Sequence, residues 1–248
     1  MNGSAPELSI IIPAYNEEGR LPETLRRIRN FLETRRVRAE VIVVDDGSRD
    51  ATAALVAGWR AEWPALQLLS NGRNRGKGYS VRHGMLEARG RLVLFTDADL
   101  SAPIEEADKL LRALGGYDMA IGSRALDRGL IEVHQSPLRE FAGILFNQLV
   151  RLVTGLRFSD TQCGFKAFVR ARAKIVFEQQ RIERFGFDPE ILFLAKLHGL
   201  RAVEVPVRWA HDPATKIHVL RDGLRMFAEV LLIRWYWLLG RYPQAPSA

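Results

Sequence analysis

Two acidic clusters stand about fifty residues apart, each closing an apolar run: VIVVDDGS (Val41 to Ser48) and LVLFTDADLS (Leu92 to Ser101). Short apolar runs of this kind predict buried parallel strands, and each ends in carboxylates where the next loop begins. Ligands of open α/β sheets bind outside the carboxyl ends of the strands. The 36 Lys and Arg exceed the 29 Asp and Glu, giving a net charge of +7. Acids at the sheet edge of such a chain predict a site for a cation carrying a phosphorylated ligand. Asp97 and Asp99 share one strand end and can both reach one ion. Hard ions such as Mg2+ or Mn2+ take carboxylate and phosphate oxygens. The alternative use of this Asp-Ala-Asp is helix capping ahead of Pro103.

The elements that must position these acids alternate between two periods. Strands are predicted at Leu8 to Tyr15, Glu40 to Val44, Leu66 to Leu69, Arg91 to Thr96 and Tyr117 to Ile121. Between them, Leu21, Leu25, Ile28 and Leu32 carry helical spacing, Asp50 opens a helix running to Trp63, Gly78 to Ala88 is helical, and Pro103 precedes a helix over Ile104 to Leu114. Repeated βα units imply a mostly parallel sheet covered on both faces. After Ser123 the rhythm changes. Helices are predicted at Arg139 to Leu156, Asp188 to His198 and Asp222 to Gly240, with strands at Gly164 to Val169 and Arg201 to Val207 completing the same sheet.

The motifs fall at strand ends in a fixed order: Pro13-Ala14-Tyr15-Asn16-Glu17-Glu18, Asp45-Asp46-Gly47-Ser48, Asn74-Arg75-Gly76-Lys77-Gly78, Asp97-Ala98-Asp99, Gly122-Ser123-Arg124 and Asp160-Thr161-Gln162-Cys163-Gly164-Phe165-Lys166. In this order they resemble the family 2 glycosyltransferases of GT-A fold, and together the dolichyl-phosphate glucosyltransferase and mannosyltransferase branch. The Thr-Gln-Cys-Gly-Phe-Lys string is more similar to the glucosyltransferases. The resemblance runs from about Leu8 to Asp222. It implies an α/β GT-A domain over 1–221, with a nucleotide-sugar half at 1–123 and an acceptor half at 124–221. Residues 222–248 follow as an amphipathic helix and tail.

The same resemblance implies roles. Asp99 and Asp97 hold Mg2+ or Mn2+, with Asp97 also near the nucleotide together with Ala98. Asp46 recognises the base, since a carboxylate accepts the imide N–H of uracil or the N1–H and N2 amine of guanine. Asp45 and Ser48 order the turn. Pro13, Tyr15 and Glu17 line the nucleotide edge; alternatively, Pro13 ends a strand and Tyr15 packs. Lys216 lies on a loop that closes over the diphosphate. Arg75-Gly76-Lys77-Gly78, at a helix start, offers backbone N–H groups and Lys77 to phosphate, without the spacing of a Walker loop.

On the acceptor side the resemblance implies Arg124 and Arg139 as binders of a lipid phosphate, which suits the planar, two-pronged guanidinium. Gln162, Lys166 and Asp188 join them. Asp188 and Glu190 occupy the place where hydroxyl-acceptor relatives keep a general base. A phosphomonoester has its second pKa near about 6 and needs little help losing a proton, so the two acids are expected to orient rather than catalyse. His211 and His218 form no zinc site without a third soft ligand.

The predicted activity is inverting transfer of a hexose from a nucleotide sugar to polyprenyl or dolichyl phosphate. UDP-glucose comes first and GDP-mannose second. Open alternatives are a hydroxyl acceptor, or a non-enzymatic anion binder; the acid clusters argue against nucleic acid. A single cysteine, Cys163, excludes an intrachain disulfide and fits a reducing compartment. With 47% hydrophobic and 26% charged residues the chain reads as globular. No signal peptide and no transmembrane helix is predicted. The aromatic and basic helices Phe141 to Phe158 and Leu224 to Leu239 suit the membrane interface, on the cytoplasmic face. Packing on the sheet or a homodimer seam are the alternative uses.

Overall fold

The computed structural model describes residues 5–211 and 219–243. The first strand, β1 (Leu8–Ala14), alternates its side chains between two cores, as the period of two in a pleated strand requires. Leu8, Ile10 and Ile12 enter one core with Leu21, Leu25 and Ile28 of α1 (Leu21–Arg35), Val56 of α2 (Thr52–Glu62) and Leu110 of α4 (Ala107–Ala113). Ile11 enters the other with Val81 and Met85 of α3 (Lys77–Glu87). Both faces of the sheet are thus covered, which is why its strands read as continuous apolar runs.

Seven strands form the sheet in the order β3-β2-β1-β4-β7-β5-β8. Here β2 is Ala39–Asp45, β3 Leu66–Ser70, β4 Leu92–Phe95, β5 Met119–Ser123, β7 Lys166–Val169 and β8 Ala202–Pro206. All pairings are parallel except those of β7, which runs antiparallel between β4 and β5, with Phe95 opposite Lys166. After β5 the chain leaves the sheet through β6 (Ile131–Val133) and α5 (Pro137–Thr154). It re-enters from the carboxyl edge, so β7 starts where its neighbours end. That reversal was not visible as a repeat in the sequence, yet it delivers Asp160 to Lys166 to the rim that carries Asp97. Two further features lacked a clear sequence period: α6 (Arg170–Gln179), and a small pairing of β6 with β9 (Trp209–Ala210).

Boundaries differ by a few residues from expectation. Asp50 caps from one position further out: its Oδ1 accepts the Thr52 N–H at 3.0 Å, and α2 starts at Thr52. Pro103 precedes a 3-10 turn, Ile104–Glu106, before α4 begins. The last helix, α8 (Val219–Leu238), lies against α5 and against α7 (Phe187–Leu197) and buries Val230 and Ile233 completely. It is therefore docked on the domain through one face. Among the described residues no helix is long and apolar enough to cross a membrane.

Candidate active site

At the carboxyl edge the backbone turns sharply after β4. Asp99 Oδ1 accepts the Ser101 N–H at 2.9 Å, the Leu100 N–H reaches the Asp97 carbonyl at 3.2 Å, and Leu100 sits at φ +48°. That backbone region costs a bulky residue of order 1–3 kcal/mol, and it is held because the Leu100 side chain is buried in the core. The Ala98 carbonyl accepts the Thr24 hydroxyl at 2.5 Å, tying the turn to α1. Burial and then the Asp97 charge push the Asp99 carboxyl above its ordinary range, against the Ser101 N–H and the Lys77 charge. Two carboxylates this close favour a cation between them.

Lys77, first residue of α3, supplies one positive charge: its ammonium pairs with Asp97. Burial alone would lower the Lys77 pKa, but Asp97, Asp188 and Asp99 together raise it. Behind it, the fully buried Lys166 pairs with Asp188 and donates to the Cys163 carbonyl at 2.6 Å. Asp188 is raised by burial more than Lys166 and Lys77 lower it. An alternating row of acids and ammonium groups thus runs from the rim into the core. Lys166 was expected to touch the acceptor. In the structure it has no exposed surface and pairs with Asp188. Asp188 is itself 3% exposed and faces Lys166 in that row.

Gly164 explains how Asp97 is placed. A Cβ there would lie 2.2 Å from Asp97 Oδ2 and 2.7 Å from its Cγ. The β7 entry loop is therefore pressed onto the carboxylate. In the sequence Gly164 belongs to the Asp160 to Lys166 motif, and its lack of a side chain in an otherwise bulky string is the signal for this approach. Asn147 and Glu204 were missed altogether. The Asn147 side chain accepts the Thr161 hydroxyl at 2.9 Å and donates to the Ser159 carbonyl at 2.9 Å. Glu204 accepts the Ser159 and Asp160 N–H groups at 2.8 and 2.9 Å. They strap the loop to α5 and β8.

Arg124 is held by Asp160, which accepts from its N–H at 3.0 Å and from its guanidinium at 2.7 and 2.8 Å. Burial opposes both charges, yet their mutual attraction wins: Asp160 falls to about 2 and Arg124 rises further above its already high value. The guanidinium also lies 5.3 Å from the Trp209 ring centre. Its fork is thus occupied by Asp160, and any phosphate must use the remaining donors. Gln162 follows in the same loop, and its buried Nε2 carries no hydrogen bond. Arg139 stands in the first turn of α5, half-buried. Glu190 is wholly buried. Its carboxylate accepts the Arg181 and Ile182 N–H groups at 2.9 Å and the Tyr242 hydroxyl at 2.6 Å, and burial pushes it up to about 7. It braces the segment before α7 against the end of the chain.

On the nucleotide side, Pro13 lies beyond the last β1–β4 pair, Ile11 with Phe95, so its missing N–H leaves that ladder intact. Tyr15 is half-buried, and Glu17 grips Arg20 through two bonds of 2.6 and 2.7 Å. Ser48 donates its N–H to Asp45 Oδ1 at 3.1 Å and accepts the Asn16 N–H at 2.9 Å, ordering the turn as expected. Asp46 is 4% exposed and accepts from Asn71 Nδ2, Arg75 N–H and Gly76 N–H at 2.8 to 2.9 Å. Of the Arg75-Gly76-Lys77-Gly78 backbone, the Arg75 and Gly76 amides therefore face Asp46. Three of about four acceptor sites on the carboxylate are taken, so Asp46 anchors the loop with one site left over. Lys216 and His218 lie outside the described residues. Among the described residues, no three His, Cys, Asp or Glu side chains gather as a metal cluster.

A mostly parallel sheet with one reversed strand, helices on both faces and an acid pair at its carboxyl rim defines a GT-A glycosyltransferase architecture. Residues 9–173 match the glycosyl transferase family 2 description, and the chain belongs to that family. It is 40% identical to a dolichyl-phosphate beta-glucosyltransferase of Drosophila melanogaster, over 95% of this chain and 77% of the relative. It is 33% identical to one of Homo sapiens, with the same coverage of both. In fold it is similar to glucosyl-3-phosphoglycerate synthase of Mycobacterium tuberculosis in complex with Mn2+, UDP and glucosyl-3-phosphoglycerate. That likeness has a TM-score of 0.63 at 18% identity and covers 98% of this chain and 82% of that one.

Proposed function

We propose that this chain is an inverting glucosyltransferase that moves glucose from UDP-glucose to dolichyl or another polyprenyl phosphate. The observation that carries the reading is the Asp97–Lys77 pair beside Asp99, set by Gly164 of the entry loop. The names of the curated relatives support the lipid phosphate and the sugar. One phosphate oxygen of the acceptor attacks the anomeric carbon from the side opposite the nucleotide; the new C–O bond forms as the bond to the diphosphate breaks. No strong base is needed, because the acceptor is largely ionised near neutral pH. A buried, lysine-paired Asp188 is consistent with that economy.

Asp97 and Asp99 fit Mg2+ or Mn2+: two hard oxygen donors on one turn match ions that take one or two carboxylates and complete their shell with phosphate and water. When bound, such an ion neutralises charge on the departing diphosphate. Lys77 supplies a fixed positive charge at the same edge. Pro13, Tyr15, Glu17, Asp46 and Ala98 form the nucleotide side. Arg139 and the remaining donors of Arg124 receive the acceptor phosphate, with Gln162 in the loop beside them.

The acceptor is lipid-borne, and the outer faces of α5 and α8 fit a peripheral position on the cytoplasmic side of a membrane. Leu138, Phe141, Leu145 and Leu152 make one helical stripe, exposed by 52–81%; Leu224, Leu231, Trp235 and Leu238 make a second on the neighbouring helix, exposed by 45–66%. A surplus of basic residues suits the anionic leaflet. The test is transfer from UDP-glucose to dolichyl phosphate with Mn2+, against GDP-mannose and against dolichol. Asp99→Ala is expected to abolish transfer with the fold intact; unchanged turnover refutes the metal assignment, and equal transfer to dolichol refutes the acceptor.

A further inference from the structure

Behind the Arg73–Gly76 loop lies a cavity of about 510 Å³ that contains none of Asp97, Asp99 or Lys77. Five arginines line it, Arg73, Arg75, Arg181, Arg184 and Arg225, against two glutamates, Glu183 and Glu229. Three of the arginines are already engaged. Arg75 pairs with Glu183 and lies over the Tyr79 ring at 3.5 Å. Arg181 donates to the Arg241 carbonyl at 3.0 Å, and Arg225 stands 3.7 Å from Glu229. Among the described residues Arg73 and Arg184 make no side-chain hydrogen bond or ion pair. The Arg184 charge helps to hold down the Glu229 carboxyl, yet five guanidinium groups against two carboxylates leave the cavity net positive, and forked donors of this kind match phosphate oxygens.

We propose that this cavity is a phosphate-binding site separate from the sugar-transfer site, taking a phosphate group from either an anionic phospholipid or solution. Its outer wall favours the lipid. Leu232 and Tyr236 of α8 line the cavity, and Leu232, 39% exposed, adjoins Leu231 and Trp235 on the apolar stripe. A headgroup phosphate held by Arg73 and Arg184 would leave its acyl chains along that stripe. This lipid arm rests on the membrane reading above; the phosphate site itself does not.

The experiment uses the full chain and two charge-matched variants. Arg73→Ala/Arg184→Ala removes two of the five positive charges that line the cavity. Arg60→Ala/Arg112→Ala removes two exposed arginines from α2 and α4, across the sheet. Vesicle flotation compares phosphatidylcholine alone with phosphatidylcholine plus phosphatidic acid. Thermal unfolding compares inorganic phosphate with chloride at matched ionic strength. Surface arginines near an anionic membrane contribute about fivefold each to binding, so the cavity variant should lose roughly tenfold or more on phosphatidic acid and the control variant much less. Loss of the phosphatidic acid preference in the cavity variant alone supports the site with lipid as its source. A phosphate-induced rise in melting temperature, absent from the cavity variant, supports the site with soluble phosphate as its source, even if no vesicle binds and the membrane reading fails. If the cavity variant matches the wild type in both assays, the site is overturned.

Discussion

Gly164 and Asp97 are in contact without room for a single added carbon: a Cβ on the glycine would fall 2.2 Å from the Asp97 carboxylate oxygen. The reversed strand β7 makes this meeting possible, since its first residues lie at the rim where β4 ends. Asp97 is also tied to Lys77, so a methyl group at 164 would displace the carboxylate rather than unravel the sheet. Gly164→Ala is expected to fold, with a melting temperature lowered by only a few degrees, while transfer falls by about 10²-fold, the effect of a displacement near 1 Å. Steady-state transfer and circular dichroism on the same preparation check this. Wild-type kcat in the alanine variant would sink the idea.

The Lys166–Asp188 pair is buried on both sides, with side chains 0% and 4% exposed. Removing one partner leaves an uncompensated charge in the core, which costs about 3–5 kcal/mol. Lys166→Met should therefore lower the melting temperature by roughly 10 °C for a domain of this size. Lys166→Met/Asp188→Asn should recover most of that loss. Urea unfolding of both variants reads the coupling directly, and an additive double variant would contradict it.

Acid stability follows from Asp160. Burial opposes its ionisation, but Arg124 and backbone donors depress its pKa from 3.8 to about 2. A depressed carboxyl stabilises the fold fully above the higher value, and the contribution fades as pH falls through about 2. The shift corresponds to about 2 kcal/mol. Stability of the wild type between pH 4 and pH 2, as read by chemical denaturation, should drop by that amount more than stability of Asp160→Asn. The variant should be weaker at neutral pH, because Arg124 is left unpaired.

Exposed aromatics on the two neighbouring helices set the last prediction. Phe141 and Trp235 are 64% and 56% exposed, so Phe141→Ser/Trp235→Ser should leave unfolding within about 1 kcal/mol of wild type. Binding to neutral vesicles should weaken at least tenfold, since burial of each aromatic contributes about 1.5–3 kcal/mol. Unchanged vesicle binding accompanied by dissociation of a dimer in gel filtration would show instead that the stripes form a seam between two copies.

Much of the fold was legible in the residues. Continuous apolar runs such as Leu8–Ala14 and Ala39–Asp45 marked strands covered on both faces, and the spacing of Leu21, Leu25, Ile28 and Leu32 marked the helix that covers one of them. Asp97 and Asp99 stand at the end of the apolar run of β4, where the next loop begins. These are local properties, set by periodicity and by the cost of burying polar groups, and the chain carries them without reference to its neighbours.

Other assignments needed the partners in space. Lys166 is a cation in the sequence like any other; only the packing of β7 between β4 and β5 buries it and turns it toward Asp188. Asp46 is one more acid at a strand end in the sequence; only the folding of the loop after β3 brings the Arg75 and Gly76 amides onto it. Glu190, beside Asp188 in sequence, becomes a brace because Tyr242 comes back from the end of the chain to donate to it. Sequence determines which groups exist and on which element they ride. Whether a charge meets solvent, a backbone N–H or an opposite charge depends on contacts between segments far apart in the chain, and that is decided only when the sheet is assembled.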